Sequence, residues 1–103
     1  MNDLEISKAL ALAIGWAPEQ VFFYPATGQV DIVVEDEAEN IEWAQIFDYR
    51  DWAVIGPIAE RFDAFPKKLA SMEGWWADVF GKDARFADTP QKAIALAVIG
   101  AKK

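Results

Sequence analysis

The chain contains no cysteine and no histidine among its 103 residues. Without cysteine there is no disulfide scaffold, no thiolate zinc site and no cysteine nucleophile. Without histidine, the usual metal ligand and the usual general base near neutral pH are also missing. No nucleophile, phosphate-loop or cofactor motif takes their place. We therefore predict that the protein is not an enzyme and uses no cofactor or metal.

The sequence also has little that would send it to a membrane. No apolar run approaches the roughly 20 residues that a membrane-spanning helix needs. Asn2, Asp3 and Glu5 stand where a secretory signal would carry basic residues. We expect a cytoplasmic protein that does not contact membranes. The length fits one domain, over residues 1–103.

Positive charge is missing from a long part of the chain, residues 9–49. This segment contains no Lys or Arg, and it accounts for the net charge of −7 because the rest of the chain is nearly neutral. Its acidic residues are Glu19, Asp31, Glu35, Asp36, Glu37, Glu39, Glu42 and Asp48. Such a field repels nucleic-acid backbones and attracts a basic surface of another protein. We expect a protein partner with a basic surface and no direct binding of nucleic acid.

Apolar side chains are abundant for so small a chain, at 53% of the residues, with five Trp and seven Phe. This content indicates either a densely filled core or a surface that contacts another molecule. Both alternatives stay open, and the second includes a homo-oligomer.

Capping residues and apolar spacing predict three helices and five strands. A capping box at Asn2 begins a helix over residues 3–14, and a Pro-Ala-Thr-Gly turn joins two strands within residues 20–36. Residues 41–48 fit a strand or a helical turn, and we favour a strand because three strands are more stable than an isolated hairpin. Next, we predict a helix over 52–64 that Asp51 caps and that is kinked or restarted at Pro57. A hairpin of Lys68–Met72 and Trp75–Phe80 follows, and then a loop over 81–88. The last helix begins at Thr89 and Pro90, and Gly100 closes it.

The order α-β-β-β-α-β-β-α predicts an α+β fold. Helices at both ends and in the middle of the chain are placed to cover one sheet. We therefore expect a layered sandwich with a single, mainly antiparallel sheet covered by helices.

Several short segments give the chain a resemblance to a known family. They are Asp3–Lys8 leading into an Ala-rich helix that ends at Gly15, Asp51-Trp52 followed by Gly56–Phe62, Trp76-Ala77, and Asp88–Pro90 with Ala93–Ala97. In this order the chain resembles small bacteriophage proteins of the NinX-like, phage α-β-α sandwich family. The resemblance implies a phage or prophage accessory protein with a sandwich fold, and it implies no activity. The acidic segment 35–42 is not part of the family pattern.

The first candidate site is that acidic segment. It consists of Glu35, Asp36, Glu37, Glu39, Glu42 and the neighbouring Trp43. Charge runs either contact partners or are simply solvated. Carboxylates also suit a hard cation, although the Asp/Asn ladder of a calcium loop is absent. Spaced along a surface, they can also occupy a site meant for phosphates.

The alternative site precedes the second helix and contains Asp48, Arg50, Asp51 and Trp52. Two carboxylates with an Arg beside Tyr49 are suited to acid–base chemistry or to ligand binding. The structural alternative is that Asp51 caps the helix and Arg50 pairs with Asp48.

From these features we expect a non-enzymatic phage or prophage accessory protein that acts by protein–protein contact in the bacterial host. Its specific form would be an acidic inhibitor or nucleic-acid mimic that docks on a host or phage protein. The alternative function is a small-ligand-binding or catalytic domain with its site near Asp48–Trp52.

Overall fold

The computed structural model describes residues 1–70 and 73–102. These residues form three α-helices, one short 3₁₀ helix and six β-strands, so the α+β class is confirmed. The chain divides into two compact units, residues 1–48 and 49–103. None of the helices in the described ranges is long and apolar enough to cross a membrane.

The first unit begins with helix α1 (Asp3–Ala13), which the sequence predicts almost to the residue. The Asn2 side-chain oxygen accepts a hydrogen bond from the Glu5 backbone N–H at 2.8 Å, and a Glu5 carboxylate oxygen accepts from the Asn2 N–H at 3.3 Å. This reciprocal pair satisfies two backbone donors that the first turn of a helix leaves without partners. The predicted capping box is confirmed.

The first sheet is antiparallel, with β2 (Gln29–Glu35) between β1 (Val21–Tyr24) and β3 (Ile41–Ile46). The predicted hairpin and the favoured third strand are both confirmed. A short 3₁₀ helix, Pro18–Gln20, precedes β1 and contacts β2. The register between β2 and β3 shifts between Val34 and Glu35, where a β-bulge interrupts the ladder.

Helix α1 covers only one face of this sheet. Val30 and Ile32 are buried, and the buried Leu10 belongs to the helix that contacts β1 and β2. The Lys8 ammonium lies 4.1 Å from the ring centre of Phe23, which pairs with Val30 and therefore shares its face. Because side chains alternate along a strand, the residues between these positions point to the opposite face.

The second unit begins with α2 (Trp52–Arg61). One Asp51 carboxylate oxygen accepts from the Ala53 N–H at 2.9 Å, so Asp51 is the predicted cap. The helix passes through Pro57 without a new start, and it ends at Arg61 rather than at residue 64. Proline removes one donor from the helix interior, and the buried Ile55 and Ile58 on either side anchor the helix there.

The second sheet is also antiparallel, in the order β4 (Lys67–Lys68), β5 (Trp75–Val79) and β6 (Lys82–Ala87). The predicted loop over 81–88 is wrong, because a two-residue turn at Phe80 and Gly81 joins β5 directly to β6. Both turn residues have positive φ, 51° and 78°, as a type I′ hairpin requires. The predicted strand Lys68–Met72 is wrong over Leu69 and Ala70, because β4 ends at Lys68. Its last two residues, 71 and 72, lie outside the described residues.

Helix α3 (Pro90–Ala101) packs on β5 and β6 through a buried stripe that includes Ile94 and Val98. The Thr89 hydroxyl oxygen accepts from the Lys92 N–H at 3.2 Å, and Pro90 occupies the first helical position as predicted. Gly100 does not close the helix, which continues to Ala101.

The prediction of a single sheet is wrong. The six strands of the described ranges form two three-stranded sheets, because each strand pairs with its neighbours in sequence inside its own unit. The layered sandwich and the single domain over residues 1–103 stay predictions.

Candidate functional site

The acidic segment forms the turn between β2 and β3, and Asp36 organises it. One Asp36 carboxylate oxygen accepts from the backbone N–H groups of Ala38 and Asn40, each at 2.9 Å. The Asp36 N–H donates to the Asn40 carbonyl at 2.9 Å, and the Glu39 N–H donates to the Asp36 carbonyl at 3.0 Å. Asp36 is therefore a structural residue of the turn, in the manner of an Asx-turn.

The other acids of the turn are exposed. Glu35 ends β2, Glu37 and Glu39 lie in the turn, and Glu42 lies on β3. Glu39 has a φ of 64°, a conformation that few residues other than glycine adopt. Within residues 1–70 and 73–102 no three acidic side chains converge so as to hold a metal ion.

Trp43 is held by a second indole. Its ring stacks on Trp16, with the centroids 5.6 Å apart and the planes inclined by 13°. Trp43 pairs with Val34 across the sheet and so lies on the face that α1 covers. Trp43 stays 42% exposed, which leaves an accessible aromatic surface beside the acidic turn.

The opposite face of the first sheet, which we call the open face, presents large exposed apolar side chains among polar ones. The strand register places on it Phe22, Tyr24, Gln29, Asp31, Val33, Glu35, Ala44 and Ile46. Phe22 is 40% exposed, Tyr24 46% and Ile46 60%. Exposed aromatic and aliphatic side chains on one sheet face are typical of a contact surface.

The charge of the open face has one sign only. Asp31 and Glu35 are its ionisable carboxylates, and the Gln29 amide donates to Asp31 at 2.8 Å. The first unit contains a single basic side chain, Lys8, and this lies on the other face over Phe23. A positively charged group that approaches the open face is therefore not repelled by any basic side chain of β1, β2 or β3.

A pocket of about 290 Å³ lies at the end of this face, beside the 3₁₀ helix. Ala17, Glu19, Gln20, Val33 and Glu35 line it. The Gln20 side chain accepts a hydrogen bond from the Ala17 N–H at 3.0 Å and so fixes one wall. Because its lining combines two carboxylates with the apolar Ala17 and Val33, the pocket suits a cationic side chain with an aliphatic stem.

Two residues of the alternative site make contacts that support the fold. Asp51 caps α2, as described above, and the Arg50 carbonyl accepts from the Gln91 amide at 3.2 Å. Trp52 begins α2 and is 51% exposed. Asp48 is the last residue of the first unit, whereas the other three belong to the second. A ligand site at these positions stays a prediction.

Sequence reasoning found the acidic turn and Trp43 but missed the open face. The run Val21–Tyr24 indicated a strand without indicating that three of its four side chains are exposed. The available signal was Val33, which breaks the polar alternation of β2 and shows that its second face is not fully polar.

The adjacent tryptophans of the second sheet, Trp75 and Trp76, point to opposite faces. Trp76 pairs with Phe86 and Lys67, whereas Trp75 pairs with Ala87 and Lys68. The Lys67 ammonium lies 4.5 Å from the Trp76 ring centre, and that of Lys68 lies 5.4 Å from Trp75. Both rings are half-buried, and each has a lysine ammonium over its face. They are therefore less accessible to a partner than the side chains of the open face.

Comparison of the chain with known protein families and with curated proteins finds no match. The resemblance to the phage proteins therefore stays a prediction from the residues quoted for it.

Proposed function

We propose that the protein is a non-enzymatic phage or prophage accessory protein that binds another protein through the open face and the acidic turn. The partner has a basic surface, and the contact takes place in the cytoplasm of the bacterial host. The phage origin and the location rest on the family resemblance. The mode of action rests on the structure of the first unit.

One observation carries the proposal. The open face presents exposed Phe22, Tyr24 and Ile46 together with carboxylates, and the single basic residue of its unit lies on the other face. Apolar contact area supplies affinity, whereas charge of one sign selects the partner and steers its approach. An acidic inhibitor, or a mimic of nucleic acid that occupies a basic site, fits this combination. The same charge disfavours nucleic acid as a direct ligand.

The test is affinity capture from the infected host with a charge-neutralised variant. Glu35, Glu37, Glu39 and Glu42 are changed to Gln, whereas Asp36 is kept because it holds the turn. The matched control changes four exposed acids of the second unit, Glu60→Gln, Asp63→Asn, Glu73→Gln and Asp83→Asn. The two variants differ from the wild type by the same net charge.

We expect the wild type and the control variant to capture the same basic protein and the turn variant to lose it. The captured complex should also dissociate faster when ionic strength rises from about 0.1 M to about 1 M, which shortens the screening length from about 10 Å to about 3 Å. Equal capture by all three proteins would overturn the proposal. A metabolite that raises the melting temperature, with no protein captured, would favour the alternative site instead.

A further inference from the structure

The outer edge of β3 is open to another strand. Antiparallel partners exchange hydrogen bonds at every second residue. The Phe47 N–H donates to the Val30 carbonyl at 2.7 Å, so Gln45 and Trp43 also direct their backbone groups toward β2. Ala44 and Ile46 then direct their N–H and C=O groups away from the sheet. In the part of the chain that the structure describes, no strand pairs with this side.

Other edge strands of the molecule carry the usual protection against added strands. Edges are normally blocked by short length, by lysine, by other charges or by proline. β4 has two residues, both lysine, and β6 carries Lys82, Asp83 and Arg85. β1, the second edge of the first sheet, has four residues and is followed by Pro25.

β3 has little of this protection. It is six residues long, all six side chains are exposed, and Glu42 is its single charged residue. It contains neither lysine nor proline. The bulge on β3 is at Glu42, which has no register partner on β2, and it does not include Ala44 or Ile46. The edge is therefore suited to strand addition, a mode in which backbone hydrogen bonds give affinity and side chains give specificity.

The charges select which strand can be added. A second copy of this chain would bring another Glu42 and another acidic turn to the same edge, and like charges across a strand pair are destabilising. A strand that carries Lys or Arg meets opposite charge from Glu42 and from the turn. Its apolar side chains would extend the open face beside Ala44 and Ile46.

We infer that β3 pairs with an extended segment of the partner in which apolar residues alternate with Lys or Arg. This inference rests on the proposed function and specifies how the basic partner is bound. The first sheet would then become four-stranded, with the new strand hydrogen-bonded to Ala44 and Ile46.

The experiment uses the whole chain and three capped hexapeptides as probes. The first alternates Val and Lys, the second alternates Val and Glu, and the third repeats the Val/Lys sequence with every backbone nitrogen methylated. Methylation removes the peptide's hydrogen-bond donors and keeps its side chains. Amide hydrogen exchange at Ala44 and Ile46 is followed by NMR, and affinity is measured by titration of the same signals.

We expect the Val/Lys peptide at saturation to slow exchange at both amides by at least about tenfold, because exchange then requires opening of the new hydrogen bonds. The methylated peptide should bind at least about tenfold more weakly, since it cannot donate across the edge. The Val/Glu peptide should not bind the wild type. In a Glu42→Lys variant the difference in affinity between the Val/Lys and Val/Glu peptides should become smaller or change sign. A Glu60→Lys control should keep the wild-type difference.

Each contrary result overturns a defined part of the inference. If the Val/Lys peptide fails to bind, or binds without slowing exchange at Ala44 and Ile46, strand addition is wrong. Charge-dependent capture of a protein partner, tested separately above, would still stand in that case. A dimer in sedimentation without peptide, with both amides already protected, would show that a second copy is the occupant.

Discussion

The indole rings of Trp16 and Trp43 stack 5.6 Å apart and nearly parallel. Trp16 follows α1, and Trp43 lies on the edge strand β3. The contact therefore ties an exposed strand to the part of the chain that follows the helix. It also leaves the outer edge of β3 free, because the stacking uses a side chain and not the backbone.

This pair should be energetically coupled. Trp16→Ala and Trp43→Ala should each lower the free energy of unfolding, and together they should lower it by less than the sum. We expect a coupling of about 0.5–1.5 kcal/mol, the range for an aromatic pair beyond its area burial. Urea unfolding followed by circular dichroism measures it in the four proteins of the cycle. Strictly additive losses would show that the stacking has no energy of its own.

The turn between β2 and β3 should depend on the Asp36 oxygen and not on its charge. Asp36→Ala removes the acceptor of two backbone N–H groups and should destabilise the protein by about 1–2 kcal/mol. Asp36→Asn keeps a side-chain oxygen and should cost much less. Chemical denaturation compares both with Glu37→Gln, which should be close to neutral. If Asp36→Asn is as harmful as Asp36→Ala, the carboxylate charge is essential instead.

The hairpin between β5 and β6 should be improved by a better turn residue. Phe80 has a φ of 51° and is 62% exposed, so its ring gains little from burial while its backbone is strained. Phe80→Asn should stabilise the protein by about 1 kcal/mol, because Asn-Gly is preferred in type I′ turns. Gly81→Ala should destabilise it, since Gly81 also has positive φ. Thermal unfolding tests both, since Phe80→Asn should raise the melting temperature and Gly81→Ala should lower it.

Asp51 should act as a helix cap. Asp51→Ala should cost about 1 kcal/mol of stability, whereas Asp51→Asn and Asp51→Ser should keep most of it because each retains an acceptor. Equilibrium unfolding in urea provides the comparison. If Asp51→Asn loses as much stability as Asp51→Ala, the negative charge of Asp51 is required, and this result would favour the alternative site.

Local sequence signals predicted the elements that depend on local chemistry. The caps at Asn2, Asp51 and Thr89 each satisfy backbone donors within three residues, so their positions could be read directly. The strands of the first sheet follow from apolar alternation and from a turn with Pro and Gly. The β5–β6 hairpin was missed because Phe80 is not a usual residue of a type I′ turn.

Some features of the candidate site also follow from the sequence, whereas others depend on the tertiary structure. Absent cysteine and histidine, the run without basic residues over 9–49, and the acidic turn with its neighbour Trp43 are properties of the sequence alone. The sequence did not decide which face of the first sheet α1 would cover. Nor did it decide that the strands would form two sheets, or that β3 would be an edge. These features depend on pairing between residues distant in the chain, and only tertiary packing determines which apolar face is buried and which stays exposed beside the carboxylates.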